Sequence, residues 1–140
     1  MVYVDTSVLV ALHLNETNSN KVARWYAASS EKLISASWCV TEFASALGIK
    51  RRTGQITEAQ GQFAWQQFER MCANDLRLVP VAPITFHDAA LLTLDAKYGL
   101  RAGDALHLAA ALAANAKSMA TLDLMLEKNA KRMKLKIAKF

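Results

Sequence analysis

Asp5 closes the strand-like opening of "MVYVDTSVLVAL", where an ionised carboxylate is costly unless something compensates its lost hydration. Three more acids share that oddity of position: Glu42 in "SWCVTEFASAL", Asp104 in "LRAGDALHLA" and Asp123 in "SMATLDLML". Each falls at the end of an apolar run or in the first turns of a helical pattern. Carboxylates gathered at short range repel one another, and a hard divalent cation holds such a group together without forcing protonation. Oxygen ligands with no CxxC pair and no histidine cluster beside them select Mg2+ or Mn2+ rather than zinc. Because Mg2+ commonly completes its shell with substrate phosphate, the substrate class this pattern predicts is a phosphodiester.

Each acid also has a plainer reading. Asp, Ser and Thr are the preferred helix N-caps, and an acid in a first turn is favoured by the helix dipole, so Asp5-Thr6-Ser7, Asp104 and Thr121-Leu122-Asp123 are all consistent with capping. Glu42 is not at a cap position if its helix begins near Ser37, and capping does not explain it. His107, on the same helix face as Asp104, either orients a ligand or is a packed, hydrogen-bonded core residue. Lys50, Arg51 and Arg52 close a helix, where cations suit the dipole, and would equally suit phosphates at a rim.

The elements that must position these residues follow from periodicity. Short buried strands are expected at "VYVD" (2–5), "LISAS" (33–37), "RLVPV" (77–81) and "KSMAT" (117–121), with "LKIAKF" as a last edge strand. Helical patterns occupy about 6–13, 18–30, 38–52, 57–74, 85–97, 103–115 and 124–133. In the third, Val40, Phe43, Ala44 and Leu47 share one face. In the fourth, Gly61, Ala64, Trp65, Phe68, Met71 and Cys72 form the apolar stripe and leave Phe63 outside it, an exposed aromatic of the kind from which a partner surface begins. Strands alternating with helices imply an α/β domain with a mainly parallel sheet of four to five strands and helices on both faces. In such sheets the strand ends and following helix starts share the carboxyl edge, where ligands bind, so the four acids are expected to meet there.

The chain has 140 residues, 53% apolar and 21% charged, with 2 Pro and 5 Gly, which suits one domain over 1–140 with a full core. The apolar start is short, has no basic flank and is broken by Asp5, so neither signal peptide nor membrane anchor is expected and a cytoplasmic location is. Cys39 and Cys72 are expected as reduced thiols within helices. Residues 1–116 hold ten Lys/Arg against ten Asp/Glu, so the net charge of +5 comes from 117–140, with seven basic residues against Asp123 and Glu127. That segment suits a polyanion, or is a solvated helix face.

The segments "VYVDTSVLVAL", "SWCVTEFASAL", "YGLRAGDALHLAAA" and "MATLDLML", in this order and at these separations, resemble the PIN domain and within it the VapC-like toxin ribonucleases, over essentially the whole chain. The resemblance implies a three-layer α/β/α fold in which Asp5, Glu42, Asp104 and Asp123 are the catalytic, metal-holding acids. Thr6 or Ser7 would help position Asp5 or a water, and Thr121 would supply the hydroxyl two places before the last acid. It implies an endoribonuclease dependent on Mg2+ or Mn2+, a homodimer, and a cognate antitoxin that holds it inactive. Leu124 departs from the family's frequent polar or basic residue after the last acid, and Met133 from a frequent Gly before the last strand.

The expected reaction is attack of a metal-activated water on phosphorus in line with the departing 3′ oxygen, with Lys50, Arg51, Arg52, Arg101 and His107 as candidate RNA contacts. A haloacid dehalogenase-type phosphohydrolase would need an acid where Ser7 stands, and a receiver domain would need paired acids before its first helix. The remaining rival is a domain of the same fold that binds RNA or protein without catalysis, its acids acting as caps.

Overall fold

A computed structural model describes residues 1–140. In chain order the elements are β1 (Val2–Val4), α1 (Thr6–His13), α2 (Ser19–Ala28), β2 (Leu33–Ala36), α3 (Trp38–Arg52), α4 (Glu58–Asn74), β3 (Leu76–Val79), α5 (Pro83–Leu94), α6 (Ala102–Ala113), β4 (Ser118–Ala120), α7 (Leu124–Arg132) and β5 (Lys136–Ile137). The strands form one sheet in the order β3-β2-β1-β4-β5, and every neighbouring pair is parallel. The α/β expectation holds, with five strands. The chain runs from β1 outward through β2 to β3, then crosses to the other side of β1 for β4 and β5. That places the topological switch point, where ligands collect in such sheets, between β1 and β4.

Alternation along the central strand divides the core. Val2 and Val4 face a cluster with Val8, Leu9, Val22, Phe43, Leu47, Ala64 and Phe68, drawn from α1 to α4. Tyr3 faces the opposite cluster with Ile34, Ala36, Leu108, Met119 and Leu126, which α5, α6 and α7 complete. Phe43 stacks on Phe68 with ring centroids 4.2 Å apart. Ala105 through Ala111 of α6 are all buried, as befits a helix enclosed by neighbours on all sides.

Several expected boundaries shift for local reasons. β3 stops at Val79, since Pro80 has no N–H to donate to a ladder. α5 starts on Pro83 at its first turn and ends at Leu94, after which Asp95 binds the Lys97 N–H and side chain in a turn. α6 begins at Ala102, so Asp104 lies inside the first turn. On α3 the buried face is Cys39, Phe43 and Leu47, while Ala44 is exposed. Both cysteines are free thiols, and burial pushes Cys39 up to about 12. No helix is long and apolar enough to cross a membrane.

Candidate metal centre

β1 delivers Asp5 to the switch point. The Asp5 N–H donates to the Ala120 carbonyl at 2.9 Å, continuing the β1–β4 pairing one residue past the strand, and the residue then caps α1. Its Oδ2 accepts from the Ser7 N–H at 3.3 Å, from the Ser7 hydroxyl and from the Thr121 hydroxyl at 2.9 Å. The Ser7 hydroxyl in turn accepts the Leu122 N–H at 3.0 Å, which stitches the exits of β1 and β4 together. Asp5 Oδ1 accepts no hydrogen bond and lies 3.6 Å from His107 Nε2. The side chain is buried.

Asp123 follows β4 and caps α7: its Oδ1 accepts the Leu126 N–H at 2.7 Å, while its own N–H donates to Thr121 Oγ1 at 3.0 Å. Glu42 stands in the second turn of α3 and caps nothing. Its Oε2 accepts from the Thr6 hydroxyl at 2.6 Å and from His107 Nε2. Asp104, in the first turn of α6, is different again: Arg101 holds the cap position, and no hydrogen bond is among the influences on the Asp104 carboxyl.

All four acids line one cavity of about 690 Å³, together with Thr6, Ser7 and Trp38. Burial, then the charges of Asp123 and Asp5, push Asp104 up to about 6. Burial also opposes ionisation of Glu42, but hydrogen bonding and charge from His107, with the Thr6 bond, hold it below the usual range. Burial would lower His107, yet Glu42, Asp5 and Asp104 outweigh it and raise the ring.

The donor chemistry fits a hard divalent cation. Asp5 and Asp123 each keep one oxygen anchored to the protein and the other uncommitted, Asp104 keeps both uncommitted, and Glu42 is anchored at Oε2, with the Trp38 side chain also favouring its ionised form. No three His, Cys, Asp or Glu side chains are arranged as a closed metal-binding group.

The capping reading is therefore right for Asp5 and Asp123 as far as one oxygen of each, and it does not apply to Glu42 or Asp104. His107 is the packed, bonded residue of one reading and a neighbour of two acids in the other. Lys50 pairs at 2.6 Å with Glu16, which lines the acid cavity, so it stands at the rim. Arg51 turns away to Glu58 at 3.5 Å, and Arg52 and Arg101 are exposed. None of the basic residues of 117–140 lines the cavity; the register puts Lys117 and Lys136 at the amino ends of β4 and β5, across the sheet from the acids. Phe63 is 63% exposed and borders a separate cleft with Leu12, His13, Tyr26 and Met71.

Three residues at the site escaped the sequence reading. Tyr3, Trp38 and Gly103 all adjoin Glu42 or its partners: Tyr3 binds His107, and a Cβ added to Gly103 would stand 2.9 Å from Glu42 Oε1 and 3.7 Å from Trp38 Nε1. The signal for Tyr3 was its spacing of two from Asp5 along an extended segment.

The PIN domain family model matches residues 2–132. No curated protein matches the chain by sequence. Among solved structures, the chain is similar to the Mycobacterium tuberculosis VapC20, a sarcin-ricin loop cleaving toxin, with a TM-score of 0.76 and 17% identity over 92% of this chain and 95% of that one. It is similar to FitAcB from Neisseria gonorrhoeae, with a TM-score of 0.72 and 17% identity over 99% and 97%. VapBC2 from Rickettsia felis, bound to a DNA fragment from their promoter, gives 0.65 and 17% over 99% and 98%. At that identity the likeness is one of fold.

Proposed function

The chain belongs to the PIN domain family, and from that membership we propose that it is an endoribonuclease dependent on Mg2+ or Mn2+, the toxin of a toxin-antitoxin pair acting in the cytoplasm. The observation that carries this reading is the convergence of Asp5, Glu42, Asp104 and Asp123 from four separated segments on one cavity. When bound, the cation would neutralise the acids and act as a Lewis acid toward a phosphodiester and water. Asp5 Oδ1, Glu42 Oε1, the second oxygen of Asp123 and either oxygen of Asp104 are the atoms that would hold it. Ser7 and Thr121 fix Asp5 by its other oxygen, and Thr6 fixes Glu42. Lys50, paired with Glu16 at the rim, would steady the RNA backbone, with Arg52 and Arg101 as further exposed cations for it.

Two partners accompany the reading. A cognate antitoxin would cover the toxin, and the exposed Phe63 with its cleft is a surface suited to a protein partner. A second copy of the chain would form a homodimer; α5 exposes Ile84, Phe86, Leu91 and Leu94, which supports burial of an apolar face. The capping bonds of Asp5 and Asp123 favour the rival reading of a non-catalytic binding module. Unstructured RNA incubated with the purified chain separates the two. Cleavage that needs Mg2+ or Mn2+, stops in EDTA and is lost in Asp5→Asn and Asp104→Asn is the expected result, whereas parent-level cleavage by both variants would sink the assignment.

A further inference from the structure

Glu42 comes from the α1–α4 layer, where Thr6 binds it, yet its second anchor, His107, comes from α6 in the other layer. The Ala36 N–H donates to the Tyr3 oxygen at 3.1 Å, and the Tyr3 hydroxyl meets His107 Nδ1 at 2.8 Å. With Nδ1 accepting, the neutral ring carries its proton on Nε2, which faces Glu42 Oε2; a cationic ring carries a proton there too. Tyr3 is 0% and His107 1% exposed, so water does not compete for these groups.

We propose that Tyr3 and His107 form a strut that positions Glu42 for the cation, anchoring Oε2 so that Oε1 is presented to the cavity. The inference rests on the metal-centre reading above. Three features of the geometry support it. The imidazole stands between Glu42 and Asp5, with Nε2 3.6 Å from Asp5 Oδ1, and so sets the separation of two acids that belong to different elements. Thr6 donates to the same Glu42 oxygen, at 2.6 Å, so both anchors act on Oε2 and neither occupies Oε1. On the far side Gly103 leaves room that a Cβ, 2.9 Å from Oε1, would take. Tyr3 and His107 touch no substrate position; they act through Glu42, and are positioning residues.

The test uses the full chain and Mn2+ alone. Calorimetric titration of His107→Leu should show Mn2+ affinity reduced about 10- to 100-fold, the usual effect of losing a partner that orients a ligand. Tyr3→Phe, which removes one oxygen and keeps the ring, should show a smaller loss in the same direction. His107→Gln, whose amide N–H can replace Nε2–H, should restore affinity to within about threefold of the parent, a rescue that mere core repacking would not give. In the EDTA-treated parent, NMR should find a slowly exchanging Nε2–H on His107, exchanging faster in Tyr3→Phe. Parent-like Mn2+ affinity in folded His107→Leu and Tyr3→Phe would overturn the strut; if His107→Leu does not fold, Tyr3→Phe decides alone. A parent chain that binds no Mn2+ overturns the metal centre itself, and the strut's role with it.

Discussion

Asp104 faces the charges of Asp123, Asp5 and Glu42 with only His107 to offset them, so its ionised form works against the fold when no cation is present. Its carboxyl is raised from 3.8 to about 6. A raised folded value means that the group favours the folded state below its unfolded value and loses that advantage as pH climbs through about 6. The Asp104→Asn variant in EDTA should therefore melt higher than the parent at pH 7.5. The gain should shrink through pH 6 and vanish only below the unfolded value of 3.8, at about pH 3, where the parent carboxyl is protonated in both states. An equal gain at both ends of a thermal-melt series would show that charge repulsion is not the cause. The same residue explains what was legible at the site. Asp5, Asp104 and Asp123 stood out because an acid beside an apolar run needs a reason, and Glu42 because no cap accounts for it. Tyr3, Trp38 and Gly103 did not stand out, since an aromatic in a strand or at a helix start, or a glycine near one, is ordinary until the carboxylate beside it is located.

At the scale of elements, α4 shows how local chemistry fixes a boundary independently of the site. Thr57 accepts the Gln60 N–H at 3.1 Å and the Gln60 side chain accepts the Thr57 N–H at 2.8 Å, a reciprocal box that satisfies two orphan donors. Thr57→Ala should cost about 1 kcal/mol in urea denaturation while leaving RNA cleavage at the parent rate, because Thr57 does not line the acid cavity. Loss of cleavage without loss of stability would mean that α4 communicates with the acids. The expected spans of α1 and α3 match the observed ones to the residue, although the buried face of α3 stops at Leu47 and its last turn carries Lys50, Arg51 and Arg52, cations that suit the helix dipole. Periodicity overran β3 and α5, whose ends are set by Pro80 and by the Asp95 turn rather than by the pattern of burial. The departure at Met133 resolves in the same way: the left-handed residue that ends α7 is Lys134, at φ 65°, one place beyond. Its N–H bonds to Lys131 O at 3.0 Å, so the turn forms without glycine at either position.

For the molecule as a whole, the two core clusters lie on opposite faces of a single sheet, and β1 belongs to both through Val2 and Val4 on one face and Tyr3 on the other. The acid cavity draws Asp5 from that strand, Glu42 from one helical layer, and Asp104 and Asp123 from the other. A site assembled this way exists only while both layers are docked. The chain over 1–140 should accordingly unfold as one cooperative unit, with neither layer surviving alone. Phe43→Ala, in the α1–α4 layer, should cost about 3–5 kcal/mol, and Leu108→Ala, in the α5–α7 layer, about 2–5 kcal/mol. Both substitutions should move the same transition. Urea unfolding followed by Trp fluorescence, with Trp25 and Trp65 packed on the first cluster and Trp38 on the second, should coincide with far-ultraviolet circular dichroism for parent and variants alike. If Phe43→Ala instead separated the fluorescence change from a later loss of helix, the layers would be independent. The four acids would then owe their meeting to something other than the shared sheet.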